Sequence, residues 1–214
     1  MEPVYWDLHA VSFMKTELPD HRFDEIVAID LEIHPISQAL LAVGALRPGQ
    51  EAFKRFGTHG DPQSVLAQFG EYANGSRFVL GHNIVFHDLP WLKSHYPTNL
   101  LNRLPAIDTL LLSPLAFPKH PYHRLWKGYK PTDSSRNDPF RDSQEAFGLF
   151  HDQLTTLEQD PFFPIYLGFL GHDSRSKGCA EALTMLTGIA PLPEQAALQI
   201  IKESFADMVC LKQL

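Results

Sequence analysis

The sequence predicts an α/β domain, with a mixed five-stranded sheet flanked by helices and followed by a helical extension. Three observations predict it. Three runs of strand length, the apolar, β-branched 26–33 and then 38–46 and 51–56, follow one another separated only by turn residues. From residue 61 onward, helical stretches alternate with two further short apolar runs, which favours a sheet covered by helices. Beyond about residue 140 the apolar residues recur only at helical spacing. The 214 residues suit a single domain, and 44% hydrophobic content, with 15 phenylalanines, supplies a core.

Residues 1–24 are mixed and polar and are expected to form an arm; 25–157 form the main domain and 158–214 the extension. The first strand is Ile26–Ile33. Pro35 and Ser37 mark the turn to a second strand over Gln38–Leu46, and Arg47–Gln50 the turn to a third over Glu51–Phe56. Such short connections make a three-stranded antiparallel meander. Asp61 caps and Pro62 opens a helix through about Ala73, which Asn74 and Gly75 end. Arg77–Gly81 reads as the fourth strand, His82–Tyr96 as a loop and then a helix, and Ala106–Asp108 as the end of the fifth strand. Thr109–Leu115 is helical, and residues 118–139 are irregular apart from a short helix near His123–Gly128. Phe140–Leu157 is a strong helix, because Phe140, Phe147, Phe150 and Leu154 fall on one face. Smaller helices follow over Pro164–Leu170, Lys177–Leu186 and Pro193–Leu211.

Composition excludes several classes. No stretch approaches the roughly 18 apolar residues of a membrane span. The N-terminus lacks the basic start and apolar core of a signal peptide. Cys179 and Cys210 are the two cysteines, with no CxxC spacing, which argues against a disulfide scaffold or a zinc site. A cytoplasmic protein is expected. The net charge of −7 argues against a protein coated with basic surface, but a nuclease needs only an acidic metal site and a local basic track.

Asp30 and Glu32 are the most informative residues. They stand two apart in an apolar strand, so their side chains share a face. Two adjacent carboxylates in the middle of a core strand lose hydration and repel each other. A cation between them relieves both effects, and hard oxygen donors suit Mg²⁺ or Mn²⁺. The alternative is a strand whose carboxylates reach solvent at a sheet edge. A second motif, Gly81-His-Asn-Ile-Val-Phe-His-Asp88, places Asp88 where a strand gives way to a helix; there Asp88 could simply cap the helix while His82 and Asn83 satisfy the loop. A third, Asn137-Asp-Pro-Phe-Arg-Asp142, puts Asp142 one turn into a helix, where an ordinary charged position is the alternative.

Together the three motifs resemble the DnaQ-like family of 3′–5′ exonucleases, which has an RNase H-like fold. The resemblance covers about residues 25–157. It implies that Asp30, Glu32, Asp88 and Asp142 hold two Mg²⁺ or Mn²⁺ ions, about 3.5–4 Å apart, for phosphodiester hydrolysis. One departure matters. The family's histidine subtype has a general base five residues before the last aspartate, where this chain has Asn137, and the tyrosine position is Asp138. An amide has no useful basicity near neutral pH. His34, two residues past Glu32 on the same strand face, and His87, beside Asp88, are the histidines that could substitute. The segment Pro121–Lys130 with Asn137-Asp-Pro is most similar to the exonuclease-like N-terminal domain of certain bacterial RecQ-like DNA helicases, which implies a helicase domain or subunit as partner.

Lys119, Arg124, Lys127 and Lys130 are interleaved with Tyr122, Trp126 and Tyr129 and with no acid. Cations that follow phosphates and rings that stack on unpaired bases suit a single strand; an amphipathic surface helix with Leu125 and Trp126 turned inward is the alternative. His82 and Asn83 are candidates to position a terminal nucleotide. The expected function is removal of nucleotides from single-stranded or 3′-unpaired DNA, with RNA as an alternative substrate. The competing reading is a nucleic-acid-binding module, weakened by Asn137, that recruits or guides a helicase. A metal-free interaction domain has no physical need for four clustered acids.

Overall fold

Alternation along the first strand divides the molecule into two layers. The computed structural model describes residues 21–56, 61–120, 123 and 138–205. Strand β1 (Ile26–Ile33) is central. Its Val27, Ile29 and Leu31 enter one apolar cluster, whereas Ile26 and Ala28 enter another on the opposite face. Asp30 and Glu32 continue the second face, as period-two alternation requires.

The meander forms as expected. β2 (Leu40–Leu46) pairs antiparallel with β1, and β3 (Phe53–Phe56) antiparallel with β2. β4 (Phe78–Gly81) and β5 (Ala106–Asp108) extend the other side in parallel, giving the order β3-β2-β1-β4-β5. This mixed sheet, flanked by helices, is an RNase H-like fold. The second strand starts at Leu40 rather than Gln38, because Gln38 has a left-handed φ of 57° and closes a turn by donating its N–H to His34 O.

One face of the sheet is covered by α1 (Pro62–Tyr72) and α2 (Asp88–His95), through Val65, Leu66, Phe69, Trp91 and Leu92. Asp61 caps α1 by accepting the Gln63 N–H, with Pro62 in its first turn, as its sequence predicts. The other face carries α3 (Thr109–Ala116), α4 (Pro139–Glu158), α5 (Phe163–His172) and α6 (Lys177–Thr187). Of the predicted apolar stripe of α4, Phe147, Phe150 and Leu154 pack, together with Leu157, against Phe23, Phe78, Leu80 and Ile107, whereas Phe140 is only half-buried and lies outside this core. Phe163, Leu167, Leu183 and Leu186 share this core, so α5 and α6 are continuous with the layer that covers the sheet. A last helix, α7 (Glu194–Phe205), follows. The predicted short helix near His123–Gly128 and the end of the last predicted helix lie outside the described residues. Among the described residues, no helix is long and apolar enough to cross a membrane.

Two glycines let helices touch the sheet directly. A Cβ on Gly44 of β2 would overlap the backbone of Pro139 and Phe140 at the start of α4. A Cβ on Gly178 of α6 would overlap the backbone of Ala106 in β5. Neither glycine is there for a special φ; each is there because backbone meets backbone. Gly44→Val should destabilise the fold by about 3 kcal/mol or more, since backbone cannot yield as a flexible side chain can. Urea unfolding measures this, and an unchanged midpoint would refute the close packing of α4 on β2.

Candidate metal-binding site

The C-terminal end of β1 is where the sheet turns acidic. Asp30 and Glu32 are half-buried there, next to the β-bulge between Glu32 and Ile33. They stand in the second half of β1, past Ala28, its last residue paired with β4, where the first turn of α4 reaches them. Asp142 is in that first turn and is buried. One carboxylate oxygen from each of Asp30, Glu32 and Asp142 lies within 4.8 Å of the others. Residues 112 positions apart thus reach one point (142 minus 30).

The first turn of α4 is held across three strands. Lys54 of β3, Gly44 of β2 and Asp30 of β1 are register partners in a row. Asp138 caps α4, its Oδ1 accepting the N–H groups of Phe140 and Arg141. Its Oδ2 accepts from Lys54 Nζ at 2.7 Å. Burial pushes the Asp138 carboxyl up, but Lys54 and the helix N–H groups outweigh it and leave the group below the usual carboxylate range. Pro139 and Phe140 lie on Gly44, and Asp142 follows one turn from the cap, its N–H bonded to Asp138 O at 3.0 Å.

Asp88 begins α2 and is 3% exposed. Its Oδ1 accepts the Leu31 N–H at 3.0 Å, tying the second motif to the β1 backbone between Asp30 and Glu32. It stands beside the three-carboxylate group and is not within the 4.8 Å set. His87 Nδ1 lies 3.5 Å from Asp88 Oδ2. The bond to Asp88 holds the His87 imidazole above its ordinary value, with burial opposing and the charges of Asp88, Asp30 and Glu32 adding. His87 is therefore the histidine that senses all three acids. His34 is not on the strand face: it lies beyond β1, and its Nδ1 accepts the N–H groups of Ile36 and Ser37 to build the turn.

The loop carrying the second motif hangs from Asp108. This side chain is fully buried, and it accepts the N–H groups of Asn83 (2.9 Å), Val85 (3.1 Å) and Leu110 (2.9 Å). Burial pushes its carboxyl up, against the pull of those three bonds and of His82. Asn83 takes a φ of 62°, which asparagine tolerates. His82 Nδ1 is 2.9 Å from Thr109 Oγ1. His82 and Asn83 are both half-buried in this loop. Lys119 is exposed just past α3. Tyr122, Arg124, Trp126, Lys127, Lys130 and Asn137 lie outside the described residues.

Asp108, Gly44 and the Lys54–Asp138 pair are the site-building residues that sequence reasoning does not single out. Asp108 has a weak signal, as an aspartate between a strand and a helix; Lys54 and Gly44 have none, because their partners are remote in sequence. The donor set is three hard carboxylate oxygens. An octahedral Mg²⁺ with ~2.1 Å bonds holds its oxygens roughly 3–4 Å apart, so a small side-chain adjustment would close the group on an ion. No protein-family model and no curated protein matches the chain.

Removing the loop anchor leaves three N–H groups without their acceptor, so Asp108→Ala should destabilise by about 3 kcal/mol, and Asp108→Asn by clearly less. Chemical unfolding of the two variants measures the difference. His82 supplies a pH dependence. Burial holds its imidazole below the ordinary 6.5, while the Asp108 charge pulls the other way. The folded chain thus binds this proton less readily than the unfolded chain. The associated stability is complete above about pH 6.5 and is lost as pH falls below it. Wild-type Tm should fall by a few degrees more than that of His82→Gln between about pH 7.5 and 5.5. Equal falls would show that His82 carries no such linkage.

Proposed function

We propose that this chain is a metal-dependent 3′–5′ exonuclease that removes nucleotides from single-stranded or 3′-unpaired DNA. The observation that carries the reading is the meeting of Asp30, Glu32 and Asp142 within 4.8 Å, with Asp88 bonded to the same strand end. Like charges gather at a cost unless a cation or a substrate-bound cation joins them. Asp30, Glu32 and Asp142 would hold the metal, Mg²⁺ or Mn²⁺, with Asp88 Oδ2 beside them. When bound, divalent ions would supply a water nucleophile at neutral pH and neutralise the scissile phosphate. The chain's own part is geometric. β1 presents two carboxylates, α4 delivers the third, and Asp88 locks the end of β1 to the second loop. Carboxylates carried on packed elements would, once closed on an ion, hold it in place as charge develops on the phosphate.

Asn137 favours a second reading, in which the same scaffold binds a 3′ end without cutting it and serves a helicase. Losing a general base costs about 10²–10⁴-fold in rate, which slows a metal enzyme but does not abolish it. The two readings separate in one assay. A 5′-labelled, 3′-unpaired DNA oligonucleotide is incubated with Mn²⁺, Mg²⁺ or EDTA. The exonuclease reading expects a ladder shortening from the 3′ end that EDTA and Asp30→Asn remove, and about 10²-fold faster release by Asn137→His. Binding of the oligonucleotide with no ladder in either metal supports the binding module instead.

A further inference from the structure

We infer that Lys54 is a positioning residue for the metal-binding carboxylate of Asp142, acting through the cap of α4. The inference rests on the metal reading of the acidic cluster and assigns a device that sets its geometry. Lys54, Gly44 and Asp30 form one row across β3, β2 and β1. The start of α4 lies over that row in the same order: Asp138 on Lys54, Pro139 and Phe140 on Gly44, and Asp142 at Asp30. Adjacent strands lie ~5 Å apart, so β3 and β1 are separated by roughly 10 Å. One helical turn advances ~5.4 Å, so the first turn of α4 covers about half of that distance and the side chains of Asp138 and Asp142 reach the rest. The end of the turn at Asp138 and the carboxylate at Asp142 are therefore rigidly linked: a shift at one is passed to the other.

Gly44 fixes the height of the helix above the sheet but not its rotation or its slide along the row. The Lys54–Asp138 pair supplies that second constraint. Asp138 Oδ1 is committed to Phe140 and Arg141 N–H groups, so its ring of contacts with the helix is already set, and Oδ2 reaches outward to Lys54. The pair lies at 2.7 Å and is about one-third exposed on each side, so its worth to global stability is small. Its directional effect on Asp142 is not small. Asp142 reaches Asp30 and Glu32 only while the first turn keeps its place along the row, and a turn free to slide would carry it away from them. Lys54 opposes that movement from the far end of the turn.

The test is Mn²⁺ binding to the whole chain, followed by electron paramagnetic resonance or calorimetry, beside the metal-free Tm. Four variants are compared: Lys54→Met, Lys54→Arg, Asp142→Asn, and Phe69→Leu on the opposite face of the sheet. Lys54→Met should weaken Mn²⁺ binding by about 10–100-fold, the range found when support behind a metal ligand is lost. Lys54→Arg, which keeps a cation at that place, should recover most of it. Phe69→Leu should lower Tm and leave the affinity unchanged. Wild-type affinity in Lys54→Met, with Asp142→Asn defective, would overturn the positioning role and leave the metal reading standing. Equal losses in Lys54→Met and Phe69→Leu would assign the effect to general loosening and also overturn it. Binding that Asp142→Asn does not weaken would remove the metal reading, and the role of Lys54 with it.

Discussion

The contact of α4 backbone with β2 backbone at Gly44 is the constraint on which the rest of the structure depends. A helix is normally held off a sheet by side chains from both surfaces. At Gly44 one of those layers is missing, and the first turn of α4 settles against the strand itself. Only at that height does Asp142 come level with Asp30 and Glu32. Farther along, Phe147, Phe150, Leu154 and Leu157 fill the space between helix and sheet and make the large apolar core. The site therefore sits where the packing layer thins to nothing, at the margin of the core.

The acids around this end of the sheet are placed by different means, and the difference has physical meaning. Asp138 is matched by Lys54 and by two helix N–H groups. Asp108 is buried completely and accepts three backbone N–H groups, so it acts as a fixed anchor for the loop. Asp88 accepts the Leu31 N–H between the two strand acids. Asp30, Glu32 and Asp142 are instead brought together with one another. Three carboxylates delivered by two elements to one point make a donor set that suits a hard divalent cation, and this convergence is what supports the metal reading. His87 is held up first by Asp88 and then by the charges of Asp30 and Glu32, whereas His34 belongs to a turn.

Much of the fold was legible because its signals are local. Period-two alternation located β1 and put Asp30 and Glu32 on one face; Asp61-Pro62 marked the start of α1; helical spacing of phenylalanines marked α4. The errors at strand starts were also local. Composition allows strand at Gln38, but a left-handed φ closes the turn there. Of the site, Asp30, Glu32 and Asp142 were legible as motifs and do converge, and Asp88 was legible as a strand-to-helix residue and lies beside them. His82 and Asn83 were legible as loop residues, and the structure ties both to the neighbourhood of Asp108 and Thr109.

By itself, the sequence determined which residues become strands and helices, since turn formers, caps and apolar periods act over a few neighbouring positions. It also determined that two carboxylates share a strand face, because the period of a strand is two. The tertiary structure alone decided that Gly44 is a point of backbone contact, that Lys54 grips the cap of a helix 84 positions away (138 minus 54), and that Asp108 suspends the loop leading to Asp88. These are pairings across the sheet between residues whose types are individually common. A glycine, a lysine and an aspartate carry no mark of their partners until strand register and helix packing bring the partners to them.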